Sequence, residues 1–222
     1  SIDNKDRWIA TVDLAGAKLK PMHRLTEQAW VNYDNNEFGW LPDNRTLWYL
    51  SEESGYSHLY TQDAGGGAAR SLTSGKWEAS DVRWSHDGAT AWVMCNRATP
   101  GDYEVCAVNA KDGAIREVTN LDGVERFRLS PDERKLLVHY SASYTPVQLA
   151  TVDVKGGAAS KLTDTRSPEF KAREWIEPQY VAVPSSDGGD PVWAKLYRPA
   201  QLDPAKKYPI VMFVHGAGYL QN

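Results

Sequence analysis

The sequence is poor in several residue types and patterns that mark particular protein classes. Its 222 residues include two cysteines and five histidines, with no Cys-x-x-Cys or His-x-x-x-His spacing. We therefore predict neither a metal site nor any other cofactor site. The formal net charge of −4 gives no electrostatic footprint for nucleic acid or anionic membranes. The longest strongly apolar run, residues 210–214 (IVMFV), is far too short to span a bilayer.

The two ends of the chain also lack familiar features. The N-terminal segment SIDNKDR has neither an initiator Met nor the apolar core of a signal peptide. The C-terminus follows a glycine-rich turn directly. We therefore expect both ends to be cut relative to a longer protein, so that location and oligomeric state cannot be read directly.

The two cysteines, Cys95 and Cys106, leave two interpretations open. Both side chains could be buried thiols, since free cysteine is among the most buried residue types. Alternatively, a hairpin between residues 91–95 and 103–108 could bring them together as a cross-strand disulfide.

A repeat of about 45 residues runs through the first three quarters of the chain. Three aspartates, Asp43, Asp87 and Asp132, lie 44 and 45 residues apart, and each is followed by a short apolar strand pattern. A second strand pattern and then a glycine-rich tract follow in each unit. The units close on Leu72-Thr73, Val118-Thr119 and Leu162-Thr163, and an incomplete earlier copy closes on Leu25-Thr26.

This period is typical of a β-propeller blade of four short antiparallel strands. Each Pro-Asp or Asp-Gly predicts the turn between the first two strands, and the glycine tracts predict the turn between the last two. We expect a mainly β protein, with about three and a half blades in residues 1–168. Trp40, Trp48, Trp84 and Trp92 recur at matching positions, which predicts blade packing for them.

From residue 169 to residue 222 the pattern changes. Residues 178–183 and 192–199 flank a polar turn and predict an antiparallel hairpin. Residues 210–214 have no alternation, as in a strand buried on both faces of an α/β sheet. Such a strand delivers His215 and the turn Gly216-Ala217-Gly218 at its carboxyl end, where open α/β sheets bind ligands. The alternative is a plain strand-to-loop turn.

The stretches SEESGYSHLYTQD (Ser51–Asp63) and KKYPIVMFVHGAGY (Lys206–Tyr219) resemble the prolyl oligopeptidase family of serine peptidases, in its dipeptidyl-peptidase-IV-like branch. The resemblance implies that residues 169–222 begin an α/β-hydrolase domain capped by the propeller. It implies a parent enzyme that cleaves short peptides through an acyl-enzyme, with the blades screening substrates by size. It also implies a possible homo-oligomer. Relatives of this type are often exported, which favours a periplasmic or extracellular location, with the cytoplasm as the alternative.

The resemblance also assigns the expected site residues. Backbone N–H groups of residues 216–218 would form part of an oxyanion hole, because small residues let the backbone approach the developing charge. His215 stands where some members of the branch have an oxyanion tyrosine, so we expect it to shape the loop. The donor is then the backbone of Ala217 or Gly218, or alternatively the hydroxyl of Tyr219. No Gly-x-Ser-x-Gly nucleophile motif occurs, so the Ser, Asp and His of the triad are expected beyond this chain.

Two further interpretations remain beside the peptidase. Glu52-Glu53, the adjacent glutamates, could match the pair that holds a substrate amine in this branch, but their turn context predicts solvated charge instead. The chain could also be a propeller that binds a protein or peptide partner without catalysis, or part of an esterase on the same scaffold.

Overall fold

The computed structural model describes residues 2–199 and 201–214. Regular structure in this part of the chain is almost entirely β-strand. Its helix, α1 (Pro168–Lys171), is a single turn whose first residues are capped by Ser167, which accepts a hydrogen bond from Phe170 N. The strands in the first three quarters are β1 (Asp6–Asp13), β2 (Lys18–Thr26), β3 (Phe38–Trp40), β4 (Thr46–Ser51), β5 (His58–Asp63), β6 (Arg70–Ser71), β7 (Ala79–Trp84), β8 (Thr90–Thr99), β9 (Asp102–Asn109), β10 (Ile115–Glu117), β11 (Val124–Leu129), β12 (Lys135–Ala142), β13 (Thr145–Asp153) and β14 (Ser160–Lys161). The last two strands are β15 (Gln179–Val183) and β16 (Val192–Leu196).

These strands form three four-stranded antiparallel sheets in simple chain order. We name them blade I (β3–β6), blade II (β7–β10) and blade III (β11–β14). The hairpin β1–β2 precedes them, and the hairpin β15–β16 follows them. The predicted three blades and the partial earlier copy are therefore confirmed, as is the later hairpin.

The repeated aspartates form the turns that the sequence predicts. Asp43 accepts a hydrogen bond from Thr46 N at 2.8 Å, and Asp87 accepts one from Ala89 N at 2.9 Å. Asp132 accepts one from Arg134 N at 3.2 Å. A short acceptor side chain in this position satisfies backbone donors that the tight turn leaves unpaired.

The hydrophobic core consists of layers between consecutive sheets. One layer joins β1–β2 to blade I, a second joins blade I to blade II, and a third joins blade II to blade III. Strand β8 shows how the pleat divides its side chains: Val93 and Cys95 face blade I, while Trp92 and Met94 face blade III. Successive side chains of a strand point to opposite faces, so one central blade contributes to two layers.

The layer between blades I and II contains the disulfide Cys95–Cys106, which joins β8 to β9. This bond settles the open choice between thiols and a bridge in favour of the bridge, and the two cysteines are 1% and 0% exposed. Trp48 and Trp84 also meet at this interface, with ring centroids 6.3 Å apart. Trp92 is buried in the next layer, whereas Trp40 is 46% exposed and does not share the predicted packing role.

Candidate functional site

The predicted oxyanion residues lie outside the described part of the chain. This applies to His215, Gly216, Ala217, Gly218 and Tyr219. Their roles remain sequence-based predictions. Residues 210–214, which directly precede them in the chain, are within the described part.

Residues 210–214 contradict the prediction of a doubly buried strand. They form no strand, and their five side chains are 79–96% exposed. A strand of that kind is stabilised by hydrogen bonds to neighbours on both edges and by packing on both faces. Within the described residues no strand pairs with this segment to supply those hydrogen bonds.

The loops on one edge of the blades form a continuous surface that we call the loop rim. It consists of the connections from second to third strand and from fourth strand to the next sheet, at residues 52–57, 72–78, 100–101, 118–123, 143–144 and 162–167. Antiparallel order places all of these connections at the same edge.

The chain after blade III returns across the loop rim. Tyr144 stacks on Trp175 with centroids 4.6 Å apart and donates its hydroxyl to the carbonyl of Ile176 at 2.6 Å. Farther along, Asp190, next to β16, pairs with Lys76 at 3.2 Å. These contacts hold the residues that precede β15 and β16 against the loop rim.

A repeated hydrogen-bond motif, which we call the rim lock, closes each blade at this edge. In all three blades, one of the first four residues of the third strand contacts a threonine 15 positions later in the chain. The pairs are His58 with Thr73, Glu104 with Thr119, and Gln148 with Thr163. Each threonine hydroxyl also accepts a backbone N–H from the third strand, at 2.8–2.9 Å. The rim lock is therefore the physical role of the Leu-Thr or Val-Thr that ends each repeat.

The rim lock of blade I fixes the state of its histidine. His58 Nε2 lies 3.0 Å from the carbonyl oxygen of Gly75, which can only accept, so Nε2 carries a proton. Nδ1 then accepts from Thr73 Oγ1 at 3.0 Å. Burial lowers the pKa of His58, which keeps the ring neutral in this arrangement.

The rim lock of blade II contains a buried carboxyl. Glu104 is 8% exposed and accepts hydrogen bonds from the Thr119 hydroxyl and from Leu121 N, the latter at 2.9 Å. Burial, with repulsion from Asp102 and Glu117, raises the pKa of Glu104 to about 7, although both hydrogen bonds act in the opposite direction. Burial disfavours the charged form of a carboxyl.

The glutamate pair behaves differently from the prediction of solvated charge. Glu53 is exposed and lies 3.4 Å from His23 Nε2. Glu52 is half-buried, and burial together with repulsion from Glu78 raises its pKa. The prediction is thus wrong for Glu52, because the segment before β3 covers this edge: the Asn35 side chain and the Asn32 backbone amide both donate hydrogen bonds to the Glu52 carboxylate.

A cavity of about 490 Å³ opens in the loop rim between blades II and III. Its wall includes Leu121 and Asp122 from the loop that Glu104 holds, and Tyr140 and Gln148 from blade III. Arg166 lines the other side and pairs with Asp164 at 2.9 Å. The cavity therefore borders two rim locks and the segment that leads to β15.

Sequence reasoning identified the threonines of the rim lock as repeat markers but missed their partners. The signal was present, because His58, Glu104 and Gln148 each stand 15 residues before a marker threonine. The three side chains differ in chemistry, so residue identity alone does not reveal the pattern.

Within residues 2–199 and 201–214, no three side chains of His, Cys, Asp or Glu are grouped as metal ligands. In the same ranges no helix has the length and apolar character needed to cross a bilayer.

Comparison with known proteins finds relatives that carry the name dipeptidyl-peptidase 5. The chain is 27% identical over 170 residues to dipeptidyl-peptidase 5 of Aspergillus fumigatus, covering 74% of this chain and 23% of the relative. It is 25% identical over 188 residues to a probable dipeptidyl-peptidase 5 of Arthroderma benhamiae, covering 79% and 25%. The chain thus spans about a quarter of the length of these curated relatives.

Solved structures show the same fold. Dipeptidyl peptidase 4 of Porphyromonas gingivalis matches with a TM-score of 0.75 and 21% identity, over 93% of this chain and 29% of that one. A putative dipeptidyl aminopeptidase IV of Bacteroides ovatus matches with a TM-score of 0.70 and 20% identity, over 93% and 32%. The family model of the dipeptidyl peptidase IV N-terminal region matches residues 3–147. With this match over more than half of its length, the chain belongs to the dipeptidyl peptidase IV N-terminal region family.

Proposed function

We propose that this chain is the propeller part, with the entry to the catalytic domain, of a peptidase of the dipeptidyl peptidase IV type. The observation that carries the proposal is the family match over residues 3–147. These residues include β1–β2, blades I and II and the first strands of blade III. The curated relatives, which carry the name dipeptidyl-peptidase 5, support the same activity.

The contacts at the loop rim support a division of roles between the blades and a catalytic domain. Residues 1–168 form the blades, and residues 169–222 lead into the catalytic domain. Because the segment with Trp175 and Asp190 contacts the rim, the catalytic domain would sit over these loops. A short peptide would then be enclosed between rim and catalytic domain.

The chemistry proposed for the whole enzyme is acyl transfer to a serine outside this chain. Backbone N–H groups at residues 216–218 would stabilise the oxyanion, and His215 would shape their loop. The 222-residue chain lacks a Gly-x-Ser-x-Gly motif, so we expect it to hydrolyse nothing alone.

The disulfide bears on the cellular compartment in which the parent protein is found. Buried bridges such as Cys95–Cys106 form and persist in oxidising surroundings and are rare in the cytosol. We therefore favour a periplasmic or extracellular location.

The first experiment is to read the gene beyond the codon for Asn222. We expect an open frame that reaches Gly-x-Ser-x-Gly and then an Asp and a His. A stop codon directly after Asn222 would leave no nucleophile and overturn the enzyme proposal in favour of a partner-binding propeller.

A substrate panel then tests the reaction with the longer protein. Dipeptidyl chromogenic amides with a free amine should be cleaved faster than N-acylated aminoacyl amides or simple acyl esters. Preferential cleavage of the esters would contradict the peptidase assignment. Loss of all activity in a variant with the motif serine changed to alanine is the required control.

A variant of this chain's own residues separates the two oxyanion donors. If the backbone of Ala217 or Gly218 is the donor, Tyr219→Phe should keep kcat within a few-fold. If the Tyr219 hydroxyl is the donor, kcat should fall roughly 100-fold or more, as for other lost oxyanion donors.

A further inference from the structure

The rim lock of blade II differs from the other two in its ability to take up a proton near neutral pH. Gln148 in blade III is a neutral amide, and its Oε1 accepts from Thr163 Oγ1 at 2.8 Å and from Thr165 N at 3.1 Å. Glu104 occupies the matching place with the same two kinds of donor. A carboxyl thus stands in the place of an amide, and its two donors bind separate oxygens of Glu104, whereas they share Oε1 of Gln148.

The surroundings of Glu104 do not compensate a negative charge. Asp102 lies two residues before Glu104 on β9, and Glu117 lies on β10, the strand that pairs with β9. Both carboxylates repel a negative charge on Glu104. Asp122, in the loop between β10 and β11, acts on Asp102 in the same way. On the β8 side the register partner of Glu104 is Cys95 of the disulfide, and buried Val124 begins β11.

Asp6 provides a contrast, because the negative charge of its carboxylate is compensated by an arginine. Asp6 of β1 accepts from the Thr26 hydroxyl at 2.7 Å, in the incomplete copy of the repeat. It is also paired with Arg24 at 2.8 Å, and these hydrogen bonds lower the pKa of Asp6 to about 2. Asp6 is therefore a permanently charged acceptor, whereas Glu104 is placed to exchange a proton.

We propose that Glu104 is a proton-controlled latch that fastens the loop at residues 118–122 to the third strand of blade II. When Glu104 binds a proton from solvent, the neutral carboxyl is retained in the buried lock with Thr119 and Leu121. When it releases the proton, the buried charge favours local opening that brings water to it. Leu121 and Asp122 line the rim cavity, so the cavity wall is the part that loosens. This inference does not depend on the proposed peptidase activity.

The sign of the pH dependence follows from linkage. The pKa of Glu104 in the folded chain, about 7, lies above the ordinary value of 4.5. Between these values the folded state binds more protons than the unfolded state, so stability from this group falls as pH rises. Below about pH 4.5 the effect vanishes, and above pH 7 the loss is complete.

The test compares the 222-residue chain with Glu104→Gln, which copies the arrangement at Gln148. Thermal unfolding at pH 5 and pH 8 should show the wild-type midpoint falling relative to the variant by roughly 5 °C or more, given a pKa shift of this size. In native-state hydrogen exchange, protection of the Leu121 amide should fall over the same range in the wild type alone.

Two further variants keep the test decisive. Glu117→Gln removes an exposed neighbouring carboxyl and should leave most of the pH dependence in place. Gln148→Glu places a carboxyl in the blade III lock and should add a second step of the same sign.

If Glu104→Gln leaves the pH profile unchanged, or if the wild type gains stability between pH 5 and pH 8 relative to the variant, Glu104 is an ordinary ionised acceptor and the latch is refuted. Titration of the Glu104 carboxyl by carbon-13 NMR reports the same result if a variant fails to fold.

Discussion

Single side chains at the loop rim carry the contacts that close each blade. The threonine of each rim lock has two partners, one side chain and one backbone amide, and in blades I and II both partners are buried with the threonine. A hydroxyl in this position is therefore worth more than an ordinary surface hydrogen bond, since its loss leaves two buried groups unpaired.

Thr73→Val tests this in blade I. The change keeps the shape of the side chain but leaves Leu59 N and His58 Nδ1 without their partner. We expect the free energy of unfolding to fall by about 2 kcal/mol, measured by urea denaturation. Thr99→Val, at an exposed position of β8, is the control and should change little; equal losses in both would show that the rim lock has no special weight.

Gly123 is a second residue whose identity the rim dictates. Its φ is +64°, and a Cβ there would collide with the carbonyl oxygen of Ser141. Ser141 N also donates to the Gly123 carbonyl at 2.7 Å, so the two backbones cannot separate without losing that bond.

Gly123→Ala should therefore lower the free energy of unfolding by more than the cost of φ alone, about 1 kcal/mol. Gly188→Ala provides the comparison, because Gly188 has a similar positive φ, +78°, but nothing lies within 4 Å of a Cβ there. A loss at Gly123 no larger than at Gly188 would show that strand β12 can yield.

The strands and their cross-link explain how blade II is held. Its β8–β9 pair contributes apolar side chains to both neighbouring layers, and the disulfide ties that pair together from inside one layer. A bridge at 1% and 0% exposure is reached by a reductant only after the sheet opens.

Removal of this bridge by Cys95→Ala with Cys106→Ala should lower the free energy of unfolding by about 3 kcal/mol, from the entropy of the short loop it closes. In the wild type, reduction by dithiothreitol should be many times slower than that of an exposed disulfide at the same concentration, because only the small fraction of molecules with an opened sheet can react. A rate equal to that of an exposed disulfide under native conditions would contradict the burial of the bridge.

The whole chain shows which features follow from local sequence and which do not. The blades were predictable because period, turn aspartates and strand alternation are all local. The burial of Glu52 was not, since it depends on contacts with Asn32 and Asn35, which are distant in sequence. The exposed, non-strand conformation of residues 210–214 was not predictable either, because an apolar run forms a buried strand only where other elements cover it. The oxyanion residues 215–219 remain predictions from the sequence.

The exposed run at residues 210–214 should govern self-association of this chain. Five adjacent uncharged apolar residues at high exposure form an aggregation-prone segment. Val211→Asp with Phe213→Asp should convert a concentration-dependent assembly into a monomer in sedimentation velocity. Val192→Asp, at an exposed position of β16, is the matched control and should not do so. Assembly that persists in the double variant would assign self-association to another surface.

The division of each core between neighbouring sheets has a consequence for how such arrays change in evolution. Each core layer is built from the facing sides of two neighbouring sheets. Deleting one repeat would therefore remove half of each of two layers. It would also bring together two sheet faces that were never selected to pack against each other. The array thus resembles a chain of nearest-neighbour couplings. A repeat can be gained or lost only together with a matching face on the repeat beside it, and shuffling intact blades is therefore harder than exchanging the loops along their rim.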